Sequence, residues 1–159
     1  MNATAQRPVE RWLARYADGF RSEANRRLHL LVVPVLVWTA VALLWCIPVF
    51  GTWMKSGVWA ALAMFAAWSF YNRMSRSLGL GLLGMFIAMA WFTRWLESVL
   101  GLQSLFWLAL AVLVPAWIVH LLGLRLEARD ASPSFDPARA LIAPAWVVAS
   151  FYRVMGWKY

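Results

Sequence analysis

The chain has 159 residues, enough for one domain, and 63% of them are hydrophobic while only 14% are charged. Soluble domains are about half apolar and about a quarter charged, so this composition excludes an ordinary water-soluble globule and predicts a membrane protein. The net charge of +8 comes mostly from arginines that flank apolar runs, which argues against a nucleic-acid partner and favours contact with anionic membrane lipid.

Residues 1–27 are basic and amphipathic. The apolar residues Trp12, Leu13, Tyr16 and Phe20 recur there at three- and four-residue steps, and arginines lie between them. This pattern predicts a helix in the headgroup region of the membrane, or equally a solvated helix that leads into the first span. Because the segment lacks the apolar core of a signal peptide, we expect the apolar run that follows to remain as an anchor.

Four apolar runs predict an all-α fold: a single domain over residues 1–159, built as an integral membrane bundle of about four transmembrane helices. The first run, 28–50, has no charge and would be about 34 Å long as a helix, enough to cross a bilayer. The second and third runs are short for a crossing, so a little-tilted hairpin and a re-entrant pair both fit. The second and third runs cover 57–72 and 78–93, and the fourth span covers 104–124. A C-terminal helix over 137–156 is expected to pack on the bundle or lie in the interface.

Two smaller features complete the predicted bundle. The third run carries Gly79, Gly81 and Gly84, which would permit close helix contacts, and residues 94–103 are interpreted as an amphipathic connector. Prolines interrupt the first and fourth spans, as in transporters, but the lack of charged residues at mid-span weakens that alternative.

The distribution of basic residues predicts the topology. Six arginines precede the first span, the loops that follow hold one, two and one basic residues, and the tail holds five. Because positive residues concentrate on the cytoplasmic side, this alternation predicts four crossings with both termini in the cytoplasm. The tryptophan- and alanine-rich composition points to a bacterial inner membrane.

The two histidines of the chain are the candidate metal ligands. His29 opens the first span and His120 lies near the end of the fourth, so the predicted topology places both on the cytoplasmic side. Asn25 lies one helical turn before His29, and Glu127 follows His120 by seven residues on the same helix face. Two imidazoles and a carboxylate form the facial triad of non-haem iron(II) oxygenases. The alternative is that each histidine bonds to backbone or headgroups while Glu127 pairs with a neighbouring arginine.

Both ends of the chain resemble the Mpo-like family. The stretch RYADGFRSEANRRLHLLVVPVLVW is similar to a family pattern of a tyrosine, a histidine four residues on, an asparagine, and a histidine four residues after it. The stretch WIVHLLGLRLEARDASPSFDP is similar to the family's later block, in which a Gly-His pair precedes a glutamate and a Pro-Ser-Phe sequence. A fungal member of this family is an iron(II)-dependent dioxygenase of the endoplasmic reticulum membrane that shortens 2-hydroxy fatty acids by one carbon. The resemblance implies a membrane protein whose metal site uses histidines from both blocks.

The chain departs from the family pattern at two histidine positions, which are Phe20 and Leu124 here. Neither side chain can bind iron. One account is a degenerate site on a retained membrane scaffold. The other is a rebuilt site in which His120, one turn before Leu124, replaces the lost ligand while Asn25 supports the metal-binding residues. The metal would then have to move by about 6 Å along the helix, whereas ligand distances tolerate about 0.2 Å, so this comparison favours the degenerate site.

The leading interpretation is therefore a protein that acts on or binds 2-hydroxy fatty acids. If it is active, iron(II) would be held by His29, His120 and Glu127, and Arg26 or Arg27 would hold the substrate carboxylate. The alternative from a different class is a small non-catalytic membrane protein that binds lipid or a partner helix and needs no cofactor.

Overall fold

The computed structural model describes residues 13, 22–49, 55–127 and 137–157, except for the side chains of 124, 126, 127 and 137–141. The described residues form five helices and no strand, so the all-α prediction is confirmed. We number the helices in chain order as α1 Glu23–Trp45, α2 Val58–Met74, α3 Arg76–Leu100, α4 Leu102–Glu127 and α5 Pro137–Val154.

Helix α1 begins before the predicted apolar span, so Asn25 and His29 both lie within its first two turns. Ser22 is extended and its carbonyl accepts the first helical hydrogen bond from the Arg26 amide at 3.0 Å. Glu23 places a negative charge in the first turn, where it stabilises the positive end of the helix dipole. Residues 23–27, which precede the predicted span, are therefore part of the same helix.

Helix α3 is longer than the predicted third run because it continues through the predicted connector to Leu100. Its 25 residues correspond to roughly 37 Å. Polarity does not end this helix, since Arg94 and Glu97 pair with each other at 2.8 Å. The helix stops at Gly101, whose φ of +79° is one that other residues rarely adopt.

Three helices are long and apolar enough to cross a membrane within the described part of the chain: Glu23–Trp45, Arg76–Leu100 and Leu102–Gly123. Their outward faces carry large exposed hydrophobic side chains, and Leu31, Trp91 and Trp107 are each more than 60% exposed. Such surfaces match a lipid environment. The 17-residue α2 is shorter than these three.

The buried core lies where α2, α3 and α5 meet. It contains Tyr71 from α2, residues such as Leu82 and Phe86 from α3, and the fully buried Trp146 from α5. Leu13 also joins this core and is 1% exposed. Of the predicted N-terminal helix over 1–27, residues 23–27 belong to α1, whereas residues 1–12 and 14–21, including Phe20, lie outside the described residues.

The glycines of α3 make different contacts. A Cβ on Gly79 would lie 2.8 Å from Asn72 of α2, and a Cβ on Gly81 would lie 2.5 Å from Val148 of α5. The predicted close contacts therefore occur at these two positions, while a Cβ on Gly84 would meet nothing within 4 Å. The most extensive helix pair is α1 with α4, and this pair holds both histidines.

Candidate functional site

His29 is fully buried on the face of α1 that packs against α4. Its Nδ1 lies 3.1 Å from the backbone carbonyl of Asn25, one turn earlier in the same helix. A carbonyl only accepts hydrogen bonds, so this contact assigns the proton to Nδ1 and the lone pair to Nε2. The helix thus fixes both the orientation and the tautomer of the ring, in the way that metal-binding histidines are commonly oriented.

His120 approaches His29 from α4. The two ring centroids are 5.0 Å apart and the ring planes are inclined at 56°. The Nδ1 atom of His120 is buried and has no hydrogen-bond partner among the described residues. The indole of Trp117, one turn earlier, lies 5.9 Å from the His120 ring and flanks it within α4.

Asn25 joins the two helices beside the histidine pair. It is 8% exposed, and its Nδ2 donates a hydrogen bond of 3.0 Å to the backbone carbonyl of Gly123. The absence of a side chain at Gly123 is required here, because a Cβ would lie 2.6 Å from Asn25 Oδ1 and 2.9 Å from His29 Cε1. The structure therefore brings Asn25, His29, His120 and Gly123 together at one point between α1 and α4.

The two predicted carboxylate-binding arginines have different surroundings. The guanidinium of Arg26 lies 6.0 Å above the ring of Trp146, and its Nε is buried without a hydrogen-bond partner among the described residues. Arg27 is 77% exposed at its side chain and is 3.5 Å from Glu23. Glu23 also lies 3.8 Å from Arg26, a distance that allows only a weak ion pair.

Other predicted positions have no described side chain. Glu127 and Leu124 lie in the last turns of α4, but their side chains, like the whole of Phe20, fall outside the described residues. Among the side chains that are described, no group of three or more histidines, cysteines or carboxylates could hold a metal ion. Glu127 as a ligand therefore stays a prediction.

The two histidine rings are close enough to hold one metal ion between them if a nitrogen of each ring points at it. Two imidazoles bound to one first-row metal ion at about 2.1 Å each have ring centroids about 5 Å apart when their bonds are roughly perpendicular. The observed separation of 5.0 Å agrees with this value. In such an arrangement Nδ1 of His120, which is buried, and Nε2 of His29 would be the donor atoms, because iron(II) accepts neutral imidazoles.

Sequence reasoning did not identify two residues of this site. Gly123 follows His120 by three residues, so it lies on the same face of α4, and this spacing was a usable signal. Trp146 gave no such signal, because its position beneath Arg26 depends on how α5 packs against α1. Gly123 lies beside His29 and Asn25, whereas Trp146 contacts Arg26, and neither residue is a possible metal ligand.

The chain matches one family model, described as 2-hydroxy-palmitic acid dioxygenase Mpo1-like, over residues 6–156. A search of curated proteins and a search of solved structures gave no match. The family match spans nearly the whole chain and includes both histidines and the contact between α1 and α4. The chain therefore belongs to the Mpo1-like family.

Proposed function

We propose that the protein is a membrane-embedded dioxygenase of 2-hydroxy fatty acids, with an iron(II) site rebuilt around His29 and His120. The observation that supports this most strongly is the pair itself, with ring centroids 5.0 Å apart although the two residues lie on different helices and far apart in the sequence. Glu127 would provide the third ligand from the last turn of α4. Iron(II) bound there would supply the activation of O2 that this class of oxidation requires.

The residues around the pair prepare it for that role. The Asn25 carbonyl accepts a hydrogen bond from His29 Nδ1–H, which leaves the lone pair on Nε2 for a metal ion. The Asn25 side chain bonds to Gly123 and holds α1 against α4 at the same level. Complete burial of His29 keeps bulk water from the site, which strengthens every electrostatic interaction inside it.

Arg26 is the better candidate of the two arginines for the substrate carboxylate. Its buried Nε–H has no acceptor among the described residues, so a carboxylate could accept from Nε and a terminal nitrogen together. It lies on the same helix as His29, three residues earlier, and therefore on the same face. The exposed Arg27 is instead suited to anionic headgroups at the membrane surface.

The acyl chain of the substrate would lie along the lipid-facing surface next to the site. Apolar side chains near the histidines are exposed on both helices, including Leu31 of α1 and Ile118 and Leu121 of α4. A fatty acid dissolved in the bilayer could then reach Arg26 with its carboxylate while its tail stays in lipid. We place the protein in a bacterial inner membrane as a four-span bundle with both termini in the cytoplasm.

Turnover tests this function directly. Protein purified without oxygen and loaded with iron(II) is given 2-hydroxypalmitate and O2, and the acid shortened by one carbon is measured by mass spectrometry. We expect product from wild type and none from His29→Ala or His120→Ala. Arg26→Gln should raise KM roughly tenfold or more through the lost charge-assisted hydrogen bonds, while the matched Arg27→Gln leaves KM unchanged.

A second candidate is a non-catalytic member of the family that binds lipid. It is favoured by the replacement of two family histidine positions by Phe20 and Leu124. In that case wild type would bind 2-hydroxypalmitate without consuming O2. Binding that depends on Arg26 but not on His29 would identify this second function.

A further inference from the structure

Helices α1 and α4 pack tightly against each other at Gly123. A Cβ at this position would lie 2.6 Å from Asn25 Oδ1, 2.9 Å from His29 Cε1 and 3.5 Å from His29 Nδ1. The backbone carbonyl of Gly123 accepts a hydrogen bond of 3.0 Å from the side-chain Nδ2 of Asn25. Gly123 thus accepts a hydrogen bond from Asn25 and leaves no room for a side chain between itself and His29.

Asn25 acts on the two helices at once. Its side chain donates a hydrogen bond to the Gly123 carbonyl on α4, and its backbone carbonyl accepts one from Nδ1 of His29 on α1. Gly123 is also three residues from His120 on one helix face, so the position of the His120 ring is coupled to the same contact. The spacing between the two imidazoles therefore depends on how closely Gly123 approaches Asn25.

We propose that Gly123 is a positioning residue that sets the distance between His29 and His120, and this inference rests on the proposed metal site. Ordinary contact of a Cβ begins near 3.4 Å, so an alanine would push His29 Cε1 away by about 0.5 Å and Asn25 Oδ1 by about 0.8 Å. Metal–ligand distances tolerate only about 0.2 Å of error. Even a methyl group at this position is then sufficient to disturb metal binding by the pair.

A glycine with only a packing role would behave differently. Its substitution would lower thermal stability but leave the metal environment unchanged in the molecules that remain folded. A positioning role predicts a changed ligand environment even below the unfolding temperature. Cobalt(II) distinguishes these cases because its visible absorption bands report coordination geometry, and it replaces iron(II) at sites of nitrogen and oxygen ligands.

The test compares Gly123→Ala with Gly84→Ala, both in helices and both changed by one methyl group. A Cβ at Gly84 meets nothing within 4 Å, so this variant controls for the general effect of alanine in a helix. Cobalt(II) is titrated into each purified full-length variant in detergent, and thermal midpoints are measured without metal. We expect Gly123→Ala to bind cobalt(II) at least tenfold more weakly with altered visible bands, while Gly84→Ala matches wild type.

Asn25→Ala covers the case in which Gly123→Ala does not fold. It removes the amide contact without adding bulk and retains the backbone carbonyl that holds His29. It should also shift the cobalt(II) spectrum. If wild type binds cobalt(II) and both variants bind it with the same affinity and the same spectrum, the positioning role is overturned but the proposed metal site is not. If wild type binds neither cobalt(II) nor iron(II), the proposed metal site itself is overturned.

Discussion

Glu97 ties together three elements at the end of the bundle opposite to the histidine pair. Its Oε2 accepts hydrogen bonds from Trp45 Nε1 at 3.0 Å and from Arg94 Nη1 at 2.8 Å, and its Oε1 accepts one from Ser56 Oγ at 2.5 Å. The side chain is only 15% exposed. The perturbation is Glu97→Ala, which removes the acceptor and leaves partly buried donors behind.

The magnitude follows from the donors that lose their partner. Trp45 and Ser56 are both half-buried, and each unpaired donor costs about 1–2 kcal/mol. Arg94 is 61% exposed and adds little, because water screens its charge. We therefore expect Glu97→Ala to lower the free energy of unfolding by about 3 kcal/mol, which corresponds to a fall in Tm of roughly 6–12 °C.

The assay is thermal unfolding in detergent followed by the fluorescence of the 12 tryptophans. Glu23→Ala is the matched control, since Glu23 is 64% exposed and its ion pairs with Arg26 and Arg27 are 3.5 Å or longer. It should change the stability by less than about 1 kcal/mol. Equal Tm values for the two variants would refute the reasoning. Iron binding by folded Glu97→Ala should match wild type, because the two sites lie at opposite ends of α1.

Two further predictions use single positions. Cys46 lies just beyond the C-terminal end of α1, which the predicted topology places on the non-cytoplasmic side. A membrane-impermeant maleimide should therefore label Cys46 in intact cells. Labelling only after permeabilisation would contradict the predicted topology. Burial, and then the nearby Glu97 carboxylate, raise the pKa of the Cys46 thiol, so the labelling rate should be low at pH 7 and increase towards pH 9. Leu124→His restores the family histidine one turn after His120 and should strengthen iron(II) binding by about tenfold or more, measured by competition with a chelator; unchanged affinity would show that position 124 does not face the metal.

The helices were predictable because long apolar runs leave few alternatives. The length of α3 was not, because Arg94 and Glu97 made its last turns resemble a polar connector. Arg94 pairs with Glu97, and Glu97 also accepts hydrogen bonds from Trp45 and Ser56, which lie on other elements and whose proximity depends on tertiary packing. Periodicity within one segment contains no information about such partners.

The candidate site was predictable in part for a similar reason. Helical spacing placed Asn25 and His29 on one face, and the parity of the crossings placed His120 at the same end. The distance between the rings and the contact at Gly123 depend on how closely two helices approach. Likewise, Arg26 and Arg27 are equivalent in the sequence and become different only because Trp146 of α5 lies beneath one of them.

Iron content tests the central claim most directly. The protein is purified in mild detergent without oxygen, loaded with iron(II), washed, and analysed for bound iron as wild type, His29→Ala and His120→Ala. A shared site predicts about one iron per chain in wild type and its loss in both variants, because neither imidazole alone completes the ligand set. Iron at background level in wild type, or iron retained in either variant, would contradict a metal centre between α1 and α4.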